Sequence, residues 1–256
     1  MAEKVVVKSS GAVVEVMLNR PERRNALDAA LLTELLDKLS GVVALPSAHV
    51  VVLHGAGPGF CSGADLEMMA ALPRDRTAEA FMPAVDTFQQ IVFLLATAPK
   101  VTMACTHGFA FGAGLDLCLA CDLRVAASGT QFASSFVRYG LVPDGGGTWA
   151  LPRLIGMGPA MALLLSGDPI DAEGAYRLGL VHRRTAAGRH LIDSLAWAEE
   201  LTKRSLPAQI AIKRLARIDP RLTLSAALKE EREAQRRIVD DGEPFRFLHP
   251  VAKSNG

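Results

Sequence analysis

The chain has 256 residues, half of them apolar, which suffices for one large domain with an appended element or for two small domains. Its 28 basic and 27 acidic residues give a formal net charge of +1, which argues against nucleic acid or a membrane surface as a partner. The N-terminus lacks the pattern of a secretory signal, and the longest apolar runs are interrupted by charged residues, Pro or Gly. We therefore expect a cytoplasmic protein without a transmembrane segment.

The four cysteines lie inside apolar stretches of the chain. Cys118 and Cys121 form a C-x-x-C pattern, but no second pair of Cys or His residues lies at the spacing of metal ligands. In a chain without an export signal, such cysteines are typical of buried free thiols. We expect neither a disulfide framework nor a metal site.

Short valine-rich runs alternate with helical patterns in the first half of the chain. The runs 13–18, 49–54, 101–105 and 123–126 are typical of buried strands. Helices are predicted over 28–44, with Asp28 as the N-cap, and over 77–96, with Thr77 in that role. This alternation predicts an α/β fold. The glycine-rich stretch 55–59 contains a proline and lacks the G-x-G-x-x-G spacing, so a dinucleotide-binding loop is not expected.

From about residue 188 onward the composition predicts a helical region. Amphipathic patterns cover 191–204, 208–218 and 222–241, with breaks at Pro207 and at Asp219-Pro220. Apolar stripes on more than one helix face favour packing against a neighbouring subunit. We therefore divide the chain into a core over 1–190 and a C-terminal helical oligomerisation region over 191–256.

Two segments, 60–66 and 108–117, share one design, in which an apolar strand is followed by a glycine-bearing turn and the start of a helix. A helix start exposes N–H groups that lack intrahelical partners, and glycine lets a ligand approach the backbone closely. Two such starts facing each other would form an oxyanion hole for a carbonyl substrate. Alternatively, these glycines serve only tight turns.

Two aspartates stand near glycine turns and are candidates for proton chemistry. Asp144 precedes the run Gly145–Gly147, where it is either a helix N-cap or a general base whose pKa apolar neighbours raise. Asp116 follows Gly114 in the second segment and is either a first-turn acid that favours the helix dipole or part of the site.

Taken together, these segments resemble the enoyl-CoA hydratase/isomerase, or crotonase, family. The matches occur in order over residues 15–182: Leu18-Asn-Arg-Pro-Glu, Asn25-Ala-Leu, Phe60-Cys-Ser-Gly-Ala-Asp-Leu, Gly112-Ala-Gly-Leu-Asp-Leu, Ala120-Cys-Asp-Leu-Arg, Gly140-Leu-Val-Pro-Asp-Gly-Gly-Gly-Thr, Leu151-Pro-Arg-Leu-Ile-Gly, Gly167-Asp-Pro-Ile and Gly179-Leu-Val.

The resemblance implies an α/β spiral of strand-strand-helix units, followed by a C-terminal helical region used in trimer contacts. Homotrimers or dimers of trimers are then expected. It also implies that an acyl-CoA substrate binds with its thioester oxygen at the N–H groups of Ala64 and Ala113. The implied coenzyme-binding residues are Arg24, Ala26, Asp65 and Leu66.

Two positions at the coenzyme side leave alternatives open. Arg24 is implied to bind the coenzyme phosphates, but its Glu-Arg-Arg run favours a solvated arginine. Glu67 stands where the family often has a lysine for the same purpose.

The residues at two family positions argue against hydration. Hydratases of the family use two glutamates to activate a water; here those positions hold Asp116 and Phe136, and a phenylalanine cannot transfer protons. Asp144 matches instead the aspartate of dienoyl-CoA isomerases, of phenylacetate-pathway isomerases and of aromatic acyl-CoA dehalogenases. We therefore expect an isomerase in which Asp144 moves a proton and Asp116 supports it or acts as a second acid/base.

The remaining expectations concern the pocket, the cofactors and the alternatives. Phe136, Phe109 and Trp149 are predicted to exclude water from the site. No metal or redox cofactor is expected beyond the coenzyme A moiety of the substrate. The alternatives are an enoyl-CoA hydratase in which Asp116 and Asp144 activate water, a catalytically weak acyl-CoA-binding relative, and a dehalogenase with Asp144 as the nucleophile.

Overall fold

A computed structural model describes residues 3–71, 73–75, 77–217 and 221–248, except for the side chain of Thr77, so the cap predicted at Thr77 lies outside what is described. The strands are β1 Val5–Ser10, β2 Val13–Leu18, β3 Val50–Gly55, β4 Val101–Thr106, β5 Phe109–Phe111, β6 Leu123–Ala127, β7 Gln131–Ala133, β8 Ile170–Asp171 and β9 Arg183–Thr185. The helices are α1 Ala29–Ala44, α2 Leu66–Ala70, α3 Thr77–Thr97, α4 Ala113–Ala120, α5 Gly147–Ile155, α6 Met157–Ser166, α7 Ala172–Arg177, α8 His190–Thr202, α9 Leu206–Ala216, α10 Leu224–Asp240 and α11 Glu243–Leu248.

The main sheet has six strands in the order β1-β2-β3-β4-β6-β9. β1 and β2 form an antiparallel hairpin at one edge, and the other neighbours in this sheet are parallel. β3 and β4 are buried along their whole length, as expected for parallel strands covered on both faces. The α/β architecture predicted from the alternating pattern is confirmed.

Helices cover both faces of this sheet. On one face, α1 buries Leu31, Leu35 and Leu39, a stripe at helical spacing. The Asp28 carboxylate caps α1 by accepting the Leu31 N–H at 2.7 Å, which confirms the predicted cap. On the other face, α8 packs with Ala198 against apolar side chains of β2, β3, β4 and β6.

A smaller sheet of three strands, in the order β5-β7-β8, lies at the end of β4. It places the turn at Gly112 directly before α4. Because β5 also bridges Cys61 through Ala110, the two glycine-bearing segments lie side by side.

α3 is the one described helix that is long and apolar enough to cross a membrane, judged by length and composition over 78–97. Val85, Phe88, Ile91 and Leu95 form a buried stripe along it. α3 packs with this stripe against α1 and α4, as a core helix does.

The C-terminal region is helical, as predicted. The division at residue 190 stays a prediction, but α8 belongs structurally to the core because it covers the main sheet. α9 is held at the end of α3 by Lys213, whose Nζ lies 2.8 Å from Asp122 and donates to two backbone carbonyls. Pro207 stands in the first turn of α9, where its missing N–H costs nothing. The break predicted at Asp219-Pro220 lies outside the described residues.

Candidate active site

The first glycine-bearing turn is anchored by a buried asparagine. The Asn25 amide donates to the carbonyls of Ala56, Gly59 and Phe60 at 2.9 to 3.0 Å, and its oxygen accepts the N–H of Arg20. Asn25 has φ of 54°, in the left-handed region that asparagine tolerates better than most residues. These bonds tie the loop after β3 to the turn after β2.

The Ala64 N–H is left without a backbone acceptor. Ala64 forms a parallel bridge with Leu27, in which Leu27 donates to the Gly63 carbonyl at 2.8 Å and accepts the Asp65 N–H at 3.0 Å. Neither bond uses the N–H of Ala64 itself. Across the described part of the chain, this N–H donates to no protein acceptor.

The second turn leaves the Ala113 N–H in the same state. Gly112 is the N-cap of α4 with φ of 52°, and Ala113 is the first residue of the helix. An N–H at this position has no intrahelical partner and lies at the positive end of the helix dipole. As with Ala64, the described residues provide it no hydrogen-bond acceptor.

Backbone bonds hold the two turns against each other. Cys61 donates its N–H to Phe109 at 3.2 Å and accepts that of Phe111 at 3.0 Å. Gly63 has φ of 95°, and a Cβ at this position would lie 2.7 Å from the Phe111 carbonyl oxygen and 3.4 Å from the Ala113 nitrogen. Only glycine permits this approach, which brings the two free N–H groups to one cleft.

The cleft that Ala64 and Ala113 line encloses about 520 Å³. Its mouth is polar, with Arg23, Arg24 and Glu67. Its inner part is apolar and rich in aromatic rings, contributed by Phe81, Phe88, Phe111, Phe136 and Tyr139. An apolar pocket with a few converging polar groups is the usual form of a small-molecule site.

Asp144, a candidate base in the sequence analysis, lines this cleft. It is not a helix cap, because the N-cap of α5 is Gly146 and α5 starts one residue later. Its Oδ1 is buried without a hydrogen-bond partner in the described structure. Burial raises the pKa of Asp144 above its ordinary value, which makes the carboxylate a stronger base.

Asp116 lies beneath the loop that carries Asp144 and does not line the cleft. It is fully buried, and its Oδ2 accepts the Gly145 N–H at 3.0 Å. A side chain at Gly145 or Gly147 would collide with this carboxylate, so the glycine run leaves room for Asp116. Burial raises the pKa of Asp116 to about 7, the Gly145 N–H opposes this shift, and the negative charge of Asp144 adds to it.

The predicted coenzyme-binding residues Arg24, Ala26, Asp65 and Leu66 all line the cleft. Arg24 is exposed, and its guanidinium lies 4.5 Å from the centre of the Phe109 ring. The Asp65 carboxylate is 2.7 Å from Arg20 and caps α2 by accepting the Glu67 and Met68 N–H groups. Burial alone would raise the pKa of Asp65, but Arg20 and these N–H groups outweigh it and lower the pKa.

Glu67, which replaces the lysine common in the family, pairs with Arg23 at 2.5 Å. This pair lies at the mouth of the cleft. Arg24 has no carboxylate partner among the described residues, so it is the more available cation for an anionic ligand.

Two residues that were predicted to line the pocket, Phe109 and Trp149, lie outside the cleft. Trp149 is 55 % exposed and stacks with Arg153 outside the cleft. α5 buries Gly147, Ala150 and Leu151, so Trp149 falls on its opposite face. Phe109 is buried behind the cleft, beneath Gly59, and does not line it. Phe136 lines the cleft and lies next to Gly112.

Several residues that build the site were not identified as site residues from the sequence. Asn25 was noted only as part of a motif, although an asparagine in a left-handed turn after a strand signals an anchoring role. Phe88 and Phe111 line the cleft but carried no distinguishing signal. His107, which precedes Gly108, lies away from the cleft and stacks on His190 at 4.3 Å between ring centres.

A second cavity of about 1000 Å³ lies on the far side of the Asp144 loop. It is bounded by α3, α5 and α9, and Phe93, Trp149 and Ile212 stand exposed around it. Asp144 is the one described residue that lines both cavities. The four cysteines are free and buried, as predicted, and line neither the mouth nor the inner part of the cleft.

Comparison with known proteins identifies the family of the chain. The model of the enoyl-CoA hydratase/isomerase family matches residues 8–243. The chain is 33% identical over 230 residues to the 2,3-dehydroadipyl-CoA hydratase of Escherichia coli K12, covering 90% of this chain and 88% of that protein. It is 35% identical over 181 residues to the 1,2-epoxyphenylacetyl-CoA isomerase of the same organism, covering 71% and 69%.

Solved structures agree on the fold. A protein from Thermobifida fusca YX, solved in complex with CoA, superposes with a TM-score of 0.84 at 32% identity, covering 94% of this chain and 95% of that one. The relatives thus include both hydratases and isomerases, and their shared architecture is the spiral predicted from the motifs. The chain belongs to the enoyl-CoA hydratase/isomerase family and has the crotonase fold.

Proposed function

We propose that this protein is an acyl-CoA isomerase that moves a double bond, or rearranges a ring, by proton transfer through Asp144. One observation carries the proposal. Asp144 and Phe136 line the same cleft as the free N–H groups of Ala64 and Ala113. The resemblance to the family implies that hydratases hold a glutamate at the position of the apolar Phe136.

The proposed reaction begins with the thioester oxygen accepting hydrogen bonds from Ala64 and Ala113. This polarisation acidifies a C–H bond of the acyl group, and Asp144 takes that proton while the electron pair moves into an enolate. The two N–H groups stabilise the enolate oxygen, and removing one such donor typically costs about 3 kcal/mol in the transition state. Asp144 then returns the proton to a different carbon, so the net change is isomerisation. No metal or redox cofactor enters this scheme.

The mouth of the cleft would hold the coenzyme. Arg24 offers an unpaired cation to a phosphate, and Ala26, Asp65 and Leu66 give the surface against which the adenine end would lie. The CoA complex of the Thermobifida fusca relative supports this assignment. We further propose a cytoplasmic homotrimer or dimer of trimers, acting without nucleic-acid or membrane partners, in which 191–256 contributes subunit contacts.

Enoyl-CoA hydratase is the second candidate, favoured by the names of relatives such as the 2,3-dehydroadipyl-CoA hydratase. It would require Asp116 and Asp144 to hold one water between them. The placement of Asp116 beneath the loop, with Oδ2 bonded to Gly145, argues for a supporting role instead.

The test is solvent deuterium exchange. Crotonyl-CoA, 3-hexenoyl-CoA and phenylacetyl-CoA are incubated with the protein in D2O, and the recovered thioesters are weighed by mass spectrometry. We expect deuterium incorporation that Asp144→Asn reduces about 10²- to 10⁴-fold, the range that a general base typically contributes. Asp37→Asn, on the exposed face of α1, is the matched control and should exchange normally.

Other outcomes contradict the proposal in distinguishable ways. Rapid loss of crotonyl-CoA absorbance that survives Asp144→Asn would establish hydration without this base. Absence of exchange with every thioester would favour an acyl-CoA-binding protein without turnover. Solvent oxygen trapped in the Asp144 carboxylate during turnover of a halogenated aromatic thioester would indicate the dehalogenase.

A further inference from the structure

The peptide group that joins Asp144 to Gly145 is bonded at both of its polar atoms. Its carbonyl oxygen accepts the Gln89 amide at 2.9 Å, and its N–H donates to Asp116 Oδ2 at 3.0 Å. The two bonds come from opposite sides, one from α3 and one from α4. Both are made by side chains, so neither follows from the regular secondary structure.

α3 also fixes the next residue. Phe88, which precedes Gln89, packs on the Cα of Gly145 so closely that a Cβ there could not be accommodated. Successive residues of α3 therefore hold the carbonyl of Asp144 and the backbone of Gly145. These contacts fix the main chain from which the Asp144 side chain starts, at the point where Asp144 adjoins both cavities.

We infer that Gln89 is a positioning residue that keeps the Asp144 carboxylate in the thioester cleft and out of the second cavity. The inference rests on the proposed role of Asp144. Gln89 lines the second cavity and not the cleft, so it cannot touch the substrate where the chemistry occurs. Its hydrogen bond also polarises the peptide, which strengthens the bond from Gly145 to Asp116.

The test compares two neighbouring glutamines. Gln89→Met keeps the length of the side chain and removes the donor; Gln90→Met makes the same change one residue later, at an exposed side chain with no hydrogen bond in the described structure. We expect Gln89→Met to lower kcat about 5- to 20-fold with KM within about twofold, because a misplaced base slows proton transfer without affecting binding. Gln90→Met should match the wild type.

A second variant tests the same hydrogen bond by replacing its donor with an acceptor. Gln89→Glu retains the shape but places a carboxylate oxygen against the Asp144 carbonyl, so it should lower kcat further than Gln89→Met. Circular dichroism and the solvent exchange assay on the same thioester accompany each variant. If Gln89→Met equals Gln90→Met while Asp144→Asn abolishes exchange, the Gln89 inference alone is overturned. If Asp144→Asn exchanges like the wild type, the inference and the proposed function both fail.

Discussion

The two halves of the cleft differ in the groups that line them, which are backbone N–H groups in one half and side chains in the other. One half consists of the backbone N–H groups of Ala64 and Ala113, which we propose as the oxyanion hole, held by bridges and turns that involve Cys61, Gly63 and Gly112. The other half includes the side chains of Asp144 and Phe136, carried by a loop and a short 3-10 turn. The first half is a property of the fold, whereas the second depends on which residues occupy a few positions.

This difference explains how relatives of one fold can carry names as different as hydratase and isomerase. In the proposed mechanism the backbone donors would stabilise an enolate in either reaction, whatever side chains surround them. The carboxylates decide which proton moves and whether a water is held. Substitutions that disturb the backbone half should therefore slow every reaction of the site. Substitutions in the side-chain half should change the type of reaction or lower its rate.

Among changes to the backbone half of the cleft, the largest effect should come from adding a methyl group between the two donors. Gly63→Ala places a Cβ 2.7 Å from the Phe111 carbonyl oxygen and displaces the oxyanion groups. We expect kcat to fall about 10²- to 10³-fold, the cost of losing one such donor. Gly129→Ala is the control, since Gly129 also has positive φ but faces open space. Equal losses in both variants would show that backbone strain, not the oxyanion geometry, is responsible.

Removing the asparagine anchor should affect stability before activity. Asn25→Ala leaves the carbonyls of Ala56, Gly59 and Phe60 without their donor and puts alanine in a left-handed conformation. We expect the free energy of unfolding to fall by about 3 kcal/mol, measured by urea denaturation. Asn19→Ala, which removes one exposed hydrogen bond to Glu3, should cost less than about 1 kcal/mol. Comparable losses would contradict the anchoring role.

The buried Asp116 should make stability depend on pH. Its pKa is about 7 in the folded protein against 3.8 when unfolded, so its contribution is fully present below pH 3.8 and is lost as the pH rises through 7. Asp116→Asn keeps an acceptor for Gly145 and removes the titration. We expect the wild type to lose on the order of 2 kcal/mol more than the variant between pH 5 and pH 8. Parallel stability profiles in urea would refute this assignment.

The smallest effect is expected at Trp149. Because this side chain lies outside the cleft, Trp149→Leu should leave kcat and KM within about twofold of the wild type in the exchange assay. Phe136→Leu, in the cleft, is the comparison and should change KM for the acyl group. A large loss in Trp149→Leu would restore the pocket role predicted from the sequence.

The sequence was sufficient for the features that are local and backbone-based. Four strands of the main sheet, the Asp28 cap and the two glycine-bearing turns follow from residue pattern and turn chemistry, so the fold class and the positions of Ala64 and Ala113 could be predicted. Placing aromatic side chains could not be done this way. Trp149 follows the glycine run of its motif closely. It nevertheless lies on the face of α5 opposite to the buried Gly147, Ala150 and Leu151, and so it points away from the cleft.

The hydrogen bonds that hold the Asp144 loop could not be predicted from the sequence either. Gln89 is 55 residues from Asp144 along the chain, and its hydrogen bond depends on how α3 packs. Asp116 was expected to support the site, but only the structure shows that it does so by holding the Gly145 N–H. Long-range contacts between side chain and backbone leave no periodic trace in a single sequence.

The position of Asp144 between two cavities has a consequence for isotopic labelling. Phe93 and Trp149 are exposed at the second cavity, so water can approach the far side of the loop while substrate occupies the cleft. A proton held on Asp144 would then exchange with solvent before it returns to carbon. The isomerised product would carry hydrogen isotope from the medium. The fraction of substrate hydrogen that the product retains would report how often the carboxylate exchanges its proton with solvent before it returns a proton to the enolate.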